Sequence, residues 1–443
     1  MARVREREGL TRRRRTLSND PIRPARARRW ELLVLAVIAF CFFFGPAMGW
    51  AAGKRPVAFE NHALAAFPSV IAGGAFFSQF DAWATDHLIA RRRAVALDAE
   101  VEQRAFREQP PPAWTTWTAP AVPGTGGGST GEKAQLRNVP DYAVLQGEQN
   151  VLFYWQDFKN ACIGIDPLTR GLLPVVSDLR TATEASGRRF LFTVAPDKST
   201  VEARFLPNAF LGRDCAAARK AEMWKALAAH PPQAYVPVVG KLERTERTTS
   251  DLTYRRGDTH WNGVGSMIYA ESLAEAVSPG STAGTTLVRD AHHMFPADLS
   301  MLRGGPSHRP GLDVVPRRVG VRTSVQDTVV TVHPTVPGAP KSYPIEIWHS
   351  HATSSSAPLV QPKVVVLGDS FSEYAQDQLA PFFRDLTFVH VDSLYLAPQL
   401  ALPAIRGADV VILERAERDV YGTGLLEAHG LVSRIRAMGP PPG

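Results

Sequence analysis

The stretch KVVVLGDSFS, Lys363–Ser372, decides how the rest of the chain is read. Lys363 to Leu367 reads as a short buried strand, with four of its five residues apolar. Gly368 and Asp369 break that pattern, Ser370 follows, and Phe371-Ser372-Glu373-Tyr374 opens a helical segment. A serine on a tight strand-to-helix turn presents its hydroxyl at the carboxyl end of a sheet, where open α/β folds place ligands. The backbone N–H of such a turn points into the same space and can stabilise an oxyanion. A serine hydroxyl is a weak nucleophile until a base activates it. The best candidate lies 110 residues upstream, in Asp258-Thr259-His260-Trp261.

The imidazole of His260 titrates where proton transfer near neutrality needs it. Asp258, two residues earlier, can orient that ring from a loop, and Asn262 can cap a helix beginning near Gly263. With Ser370 they make a Ser–His–Asp set, the arrangement that activates a hydroxyl for acyl transfer. Gly-Asp-Ser and Asp-x-His are each short enough to arise by chance. Two locally bonded loop residues and a helix-capping serine account for the same letters.

Outward from this turn the pattern is α/β. Apolar, β-rich runs stand at Val151–Trp155, Phe190–Ala195, Tyr235–Val239, Lys363–Leu367, Leu386–Val391 and Asp409–Leu413. Helical stretches fall between several of them, at Leu172–Ser186, Ala216–Ala229, Gly263–Ala276 and Ser372–Phe383. Strands that alternate with helices predict a parallel sheet covered on both faces. Residues 304–360 break the rhythm with Pro, Ser, His and Val, and read as extra strands and loops. There is no internal repeat.

The chain has 443 residues, of which 44% are hydrophobic and 21% charged, a balance that allows a buried core. Its net charge of +7 is misleading, because residues 1–29 carry eleven Arg against three acidic residues. The remainder is close to neutral, which argues against a nucleic-acid-binding body. The basic tail 1–29 precedes the charge-free run LLVLAVIAFCFFFGPAMGW at 32–50, bracketed by Trp30 and Trp50. That run is long enough to cross a bilayer core of roughly 30 Å as a helix. The reading is a transmembrane helix over 30–50 with the Arg-rich tail in the cytoplasm and residues 51–443 outside. A signal peptide cut near Ala51-Ala52 is the rival reading. Residues 51–108 read as a membrane-proximal helical segment, with its main helix from about Phe76 to Phe106. Residues 109–138, with their PPP and Gly-rich stretches, read as a flexible linker. The catalytic domain is expected over 139–430 and a C-terminal tail over 431–443. Cys162 and Cys215 are the two cysteines of the main body. Outside the cytoplasm they can form a disulfide; two separate buried thiols are the other reading.

Arg415 and Arg418 follow the last predicted strand, at a carboxyl edge within reach of an anionic sugar, though surface arginines are commonly just that. His292-His293 lacks companions at metal-ligand spacing, so no metal is expected. No nucleotide fingerprint or phosphate loop stands out, so no cofactor is expected.

The block YRRGDTHWNGVGSMIYA, Tyr254–Ala270, resembles the Asp-Thr-His-Trp block of alginate O-acetyltransferases of the AlgJ/AlgX type. In that family a catalytic serine follows later, in a Gly-[Asp/Thr]-Ser turn, matched by Gly368-Asp369-Ser370. Ala195-Pro196-Asp197-Lys198 resembles the family's Ala-Pro-x-Lys segment. Phe59-Glu60-Asn61-His62 with Phe67-Pro68 resembles its membrane-proximal signature, with His62 where Arg is usual. The resemblance covers about residues 57–108 and 139–420. It implies an SGNH-hydrolase-like (flavodoxin-like) α/β domain in which Asp258 orients, His260 is the base and Ser370 the nucleophile. The Asp/His block precedes the serine, the reverse of ordinary SGNH esterases.

The expectation is therefore a single-pass inner- or plasma-membrane protein whose external, periplasmic or extracellular, domain O-acetylates a surface polysaccharide through an acetyl-serine. By resemblance, the acetyl donor would be a multi-spanning membrane O-acyltransferase. A glycan acetyl esterase with the same triad and a catalytically idle glycan-binding scaffold are the alternatives.

Overall fold

A computed structural model describes residues 130–441 apart from 140–142, 230, 233, 250, 336–341 and 423–428, together with isolated positions before residue 84. Ten strands are described: β1 Val144–Gln146, β2 Leu152–Tyr154, β3 Arg189–Ala195, β4 Thr285–Pro296, β5 His308–Arg318, β6 Val321–Val332, β7 Tyr343–Ser354, β8 Val364–Gly368, β9 Asp385–His390 and β10 Val410–Ala416. Six form one sheet in the order β3-β10-β8-β9-β7-β6. β3, β10, β8 and β9 run parallel; β7 pairs antiparallel with β9, and β6 antiparallel with β7.

The parallel half is buried on both faces, as its continuous apolar runs require. Side chains alternate across a strand. Val364 and Val366 of β8 therefore enter one core, with Leu273 and Ala274 of the helix Gly263–Val277. Val365 and Leu367 enter the other, with Leu179 of the helix Leu172–Ala185 and Ile405 of the helix Pro398–Gly407. Fully burying one such valine contributes about 1.5–3 kcal/mol, so a charge at Val366 would be expected to break the domain.

Four expectations change. The sheet is mixed, because residues 304–360 supply the hairpin β6–β7, which extends it at one edge. β7 alternates buried and exposed residues where β8 and β10 are buried throughout, the pattern of a strand with one wet face. Val151–Trp155 lies outside the sheet and pairs only with β1. Tyr235–Val239 makes one parallel bridge, Tyr235 to Phe192; Pro237 has no N–H to extend it, and Val239 opens the helix Val239–Thr248. The helix expected over Ser372–Phe383 is broken into Ser370–Glu373, Gln376–Leu379 and a 3₁₀ turn at Ala380–Phe382, which holds Pro381.

The domain also extends further than the composition implies. Thr130–Asn138, assigned above to the linker, is a helix with Leu136 buried. His429–Arg436, assigned in part to a tail, is a helix whose Ile435 enters the core with Met438 just beyond it. Cys162 and Cys215 form a disulfide, with a Cα–Cα distance of 5.6 Å, joining the helices Gln156–Ile163 and Arg213–Ala229.

The chain divides into two units, one of residues 1–57 and 68–90 and the other of the rest. Within 30–50 the described positions Leu33, Phe40, Phe44, Met48 and Trp50 are helical and exposed. Among the described residues no helix is long and apolar enough to cross a membrane. The other positions of the expected span, nearly all of the membrane-proximal helix, and Phe59–His62 with Pro68 lie outside the described residues.

Candidate active site

β8 ends at Gly368, and Ser370 opens the helix Ser370–Glu373 at the carboxyl edge of the sheet. Asp369 is the cap. Its Oδ1 accepts from the Phe371 N–H at 3.0 Å, and its Oδ2 accepts from the Ala416 N–H of β10 at 2.7 Å. Gly368 is required here by close approach, since a Cβ on it would lie 2.6 Å from Ser372 Cβ and 2.8 Å from Glu414 Oε2. The Trp261 indole donates to the Phe371 carbonyl at 3.0 Å, tying the base loop to the nucleophile turn.

The base loop is held by its own residues and by three other segments. Asp258 Oδ1 accepts from the His260 N–H at 2.8 Å and lies 2.7 Å from His260 Nδ1. Asp258 Oδ2 accepts from the Asp298 N–H at 3.0 Å. Asp298 Oδ1 in turn accepts from the Thr259 N–H at 2.8 Å, and its Oδ2 from the Thr259 hydroxyl. The Lys198 ammonium donates to the carbonyls of Leu152 at 2.6 Å and Arg255 at 2.8 Å, linking β2 to this loop. The Tyr254 hydroxyl donates to the Pro196 carbonyl. Asn262 caps the helix Gly263–Val277 by accepting from the N–H groups of Val264 and Gly265.

These supports place His260 Nε2 2.8 Å from Ser370 Oγ. A carboxylate can only accept. Asp258 therefore fixes the proton on Nδ1 and leaves the Nε2 lone pair facing the serine. The ring lies between Phe371 and Tyr374, at centroid distances of 5.1 and 4.4 Å. Burial lowers the pKa of His260, against the opposing pull of Asp258, so the ring is a neutral base near pH 7. Burial alone would raise the Asp258 carboxyl; the adjoining His260 and its hydrogen bond, with Arg255, reverse this and hold it well below the usual carboxylate range. The Arg255 guanidinium lies 3.9 Å from Asp258 Oδ1, over the rings of Phe295 at 4.0 Å and Tyr374 at 5.0 Å.

The structure thus brings together the three residues the sequence singled out. Arg415 is buried and Arg418 partly buried. Arg415 pairs with Asp392 at 3.3 Å and Asp419 at 3.9 Å. Arg418 pairs with Asp197 at 3.6 Å, and its guanidinium lies 5.4 Å from the centroid of Phe371, the residue after Ser370. Sequence reading missed Asp298, Arg255 and Tyr374. An Asp after Pro-Ala at a helix start was the only local sign of Asp298, and nothing local links it to a loop 40 residues away. Asp258, His260 and Asp298 hold ligand-type atoms within 4.8 Å of one another. A cation there would displace the Nδ1 proton that sets the tautomer.

A serine, histidine and aspartate in hydrogen-bonded line can activate the serine hydroxyl for acyl transfer. The sequence pattern described as "SGNH hydrolase-like domain, acetyltransferase AlgX" matches residues 144–387, over half of the chain and inclusive of all three residues. The chain belongs to this family. Its fold is accordingly SGNH-like α/β. A "Probable alginate O-acetylase AlgJ" of Pseudomonas putida is 26% identical over 136 residues, which is 30% of this chain and 34% of that protein. The chain therefore matches about a third of the length of that curated relative. Among solved structures, the O-acetyltransferase domain of Pseudomonas putida AlgJ has 17% identity and a TM-score of 0.41, covering 66% of this chain and 99% of that one. Pseudomonas aeruginosa AlgX has 14% identity and a TM-score of 0.40, covering 69% and 70%.

Proposed function

We propose that this AlgX-family member is an O-acetyltransferase that acetylates a cell-surface polysaccharide through an acetyl-Ser370 intermediate. The observation that carries this reading is the Asp258–His260–Ser370 line, with contacts of 2.7 and 2.8 Å. His260 Nε2 takes the Ser370 proton as Oγ attacks the acetyl carbonyl of the donor ester. The tetrahedral intermediate collapses, its C–O bond to the leaving group breaks, and the imidazolium returns the proton to the departing oxygen. An acceptor sugar hydroxyl then attacks acetyl-Ser370 while His260 takes its proton. Ser370 leaves, regains that proton, and the acetyl ester of the sugar is the product. The Ser370 N–H is the oxyanion donor. Arg418, beside Phe371, is the better placed of the two arginines for contact with an anionic acceptor; Arg415 has two carboxylates of its own.

The same reading makes residues 30–50 a single membrane span and places the domain outside the cytoplasm. The charge-free run behind the Arg-rich tail supports this, and so does a disulfide in the main body. Acetyl groups are then supplied across the membrane by a multi-spanning O-acyltransferase rather than from a cytoplasmic thioester. The test incubates the full-length protein with a chromogenic acetyl ester and a panel of oligosaccharides, followed by mass. Acetylated oligosaccharide and acetyl-Ser370, both lost in Ser370→Ala, are expected. Release of acetate alone in the presence of acceptor would replace the transferase with an esterase. Neither product, with Ser370 unlabelled, would favour a binding scaffold.

A further inference from the structure

Beneath the nucleophile lies a carboxyl group that the mechanism above does not use. Glu414, on β10, is fully buried. Its Oε2 accepts from the Asp369 N–H at 3.0 Å and from the Ser372 hydroxyl at 2.8 Å. The Ser372 hydroxyl also meets the Tyr269 hydroxyl, 2.6 Å away on the helix Gly263–Val277. One oxygen of Glu414 therefore anchors the residue before Ser370 and the residue two after it. Gly368 admits this oxygen because it has no Cβ.

The groups facing Glu414 do not favour a charge on it. The Asp369 carboxylate is directed at the N–H groups of Phe371 and Ala416. Arg415, its neighbour on β10, pairs with Asp392 and Asp419. Glu414 Oε1 has no hydrogen-bond partner among the described residues. An ionised carboxylate would leave half its charge on that buried atom, at high cost. Burial, and then repulsion from Asp369, push this acid well above its ordinary range.

We propose that Glu414 is a positioning residue for Ser370, acting as an uncharged carboxylic acid that fixes both flanks of the nucleophile turn. The proposal rests on the serine mechanism above. A displacement of the nucleophile by about 1 Å costs on the order of a hundredfold in rate, so the anchor should show in kcat and not in KM.

The experiment uses the full-length chain, with turnover of a chromogenic acetyl ester across pH, the rate of Ser370 labelling by a sulfonyl fluoride, and thermal melting. Glu414→Gln is expected to keep kcat within about threefold and leave the pH profile in place, because an amide oxygen accepts the same two donors without charge. Glu414→Ala is expected to lower kcat and the labelling rate by about 10–100-fold at unchanged KM. Ser372→Ala, a small change that spares the packing, is expected to lower both by about 3–10-fold, and it decides the matter if Glu414→Ala does not fold. Loss of kcat in Glu414→Gln equal to that in Glu414→Ala would show that the charge is needed and overturn the uncharged assignment. Wild-type turnover and labelling in folded Ser372→Ala and Glu414→Ala would overturn the positioning role. Turnover that survives Ser370→Ala, with no Ser370 labelling in the wild type, would remove the serine mechanism and this proposal together.

Discussion

The two turns that meet at the site are built in opposite ways. The Gly368–Ser372 turn follows from its own sequence. An apolar strand, a glycine and a capping Asp place a serine at a sheet edge, and Glu414 only secures it. The Asp258–Trp261 loop has no comparable local logic. It stays in place because Lys198, Asp298 and Trp261 bond it to β2, to the helix Asp298–Leu302 and to the nucleophile turn itself. A nucleophile can be placed by local geometry, whereas the base that must meet it has to be steered by contacts distant in sequence. Mutations in the first turn should therefore act on chemistry. Mutations around the second should act on alignment and stability together.

The largest effect tests the nucleophile side. Ser370→Ala should lower acetyl transfer by about 10⁴-fold or more while the melting temperature stays near wild type. His260→Ala should lose a similar amount, and adding it to Ser370→Ala should change little, because residues acting as one unit are not additive. Additive losses would separate the two turns functionally and break the comparison.

Asp258→Asn comes next, at about 10³–10⁴-fold in kcat if the carboxylate sets the imidazole tautomer, as in other serine triads. Lys198→Met should sharpen the contrast. It leaves two backbone carbonyls without their donor and should cost about 1–3 kcal/mol of stability, along with activity. Chemical denaturation read beside turnover checks this. Full stability with lost activity would give Lys198 a chemical role instead.

The smallest expected effects are in pH. Activity needs neutral His260, whose pKa is depressed, so the acid limb of kcat/KM should lie below the ordinary imidazole value of about 6.5. An acid limb above that value would mean the ring is not desolvated as the structure has it. Stability should move the other way. Burial raises the Asp157 carboxyl to about 7, and burial with a hydrogen bond to Glu346 raises Glu373 to about 9. The fold holds protons on these groups that the unfolded chain has released above its ordinary carboxylate values. Their contribution is complete at pH below those values and is lost as pH rises through 7 and then 9. The melting temperature should accordingly fall between pH 6 and pH 9, and a rise over that range would refute the assignment.

The central strands were legible because burial on both faces demands continuous apolar residues, and Val364–Leu367 and Val410–Leu413 supply them. The nucleophile turn was legible because Gly368 and Asp369 end the apolar strand and put Ser370 at the start of the next helix. The hairpin β6–β7 was read only as extra strands, since alternation marks a half-wet strand without saying which edge it joins. The broken helix after Ser370, the helix hidden in the linker and the helix hidden in the tail went unread. Propensity and composition are weak guides where packing decides, as it does for Leu136 and Ile435.

By itself, then, the sequence determined an α/β domain with Ser370 at a sheet edge and named His260 and Asp258 as its partners, because local patterns and residue chemistry are written in order along the chain. Only the tertiary structure decided that His260 Nε2 faces Ser370 Oγ, that Asp298 and Lys198 hold the base loop, and that Glu414 lies beneath the nucleophile. Those contacts join residues from 40 to 110 positions apart. Such pairings arise from the order of strands in the sheet and the packing of helices on it, which no local spacing encodes.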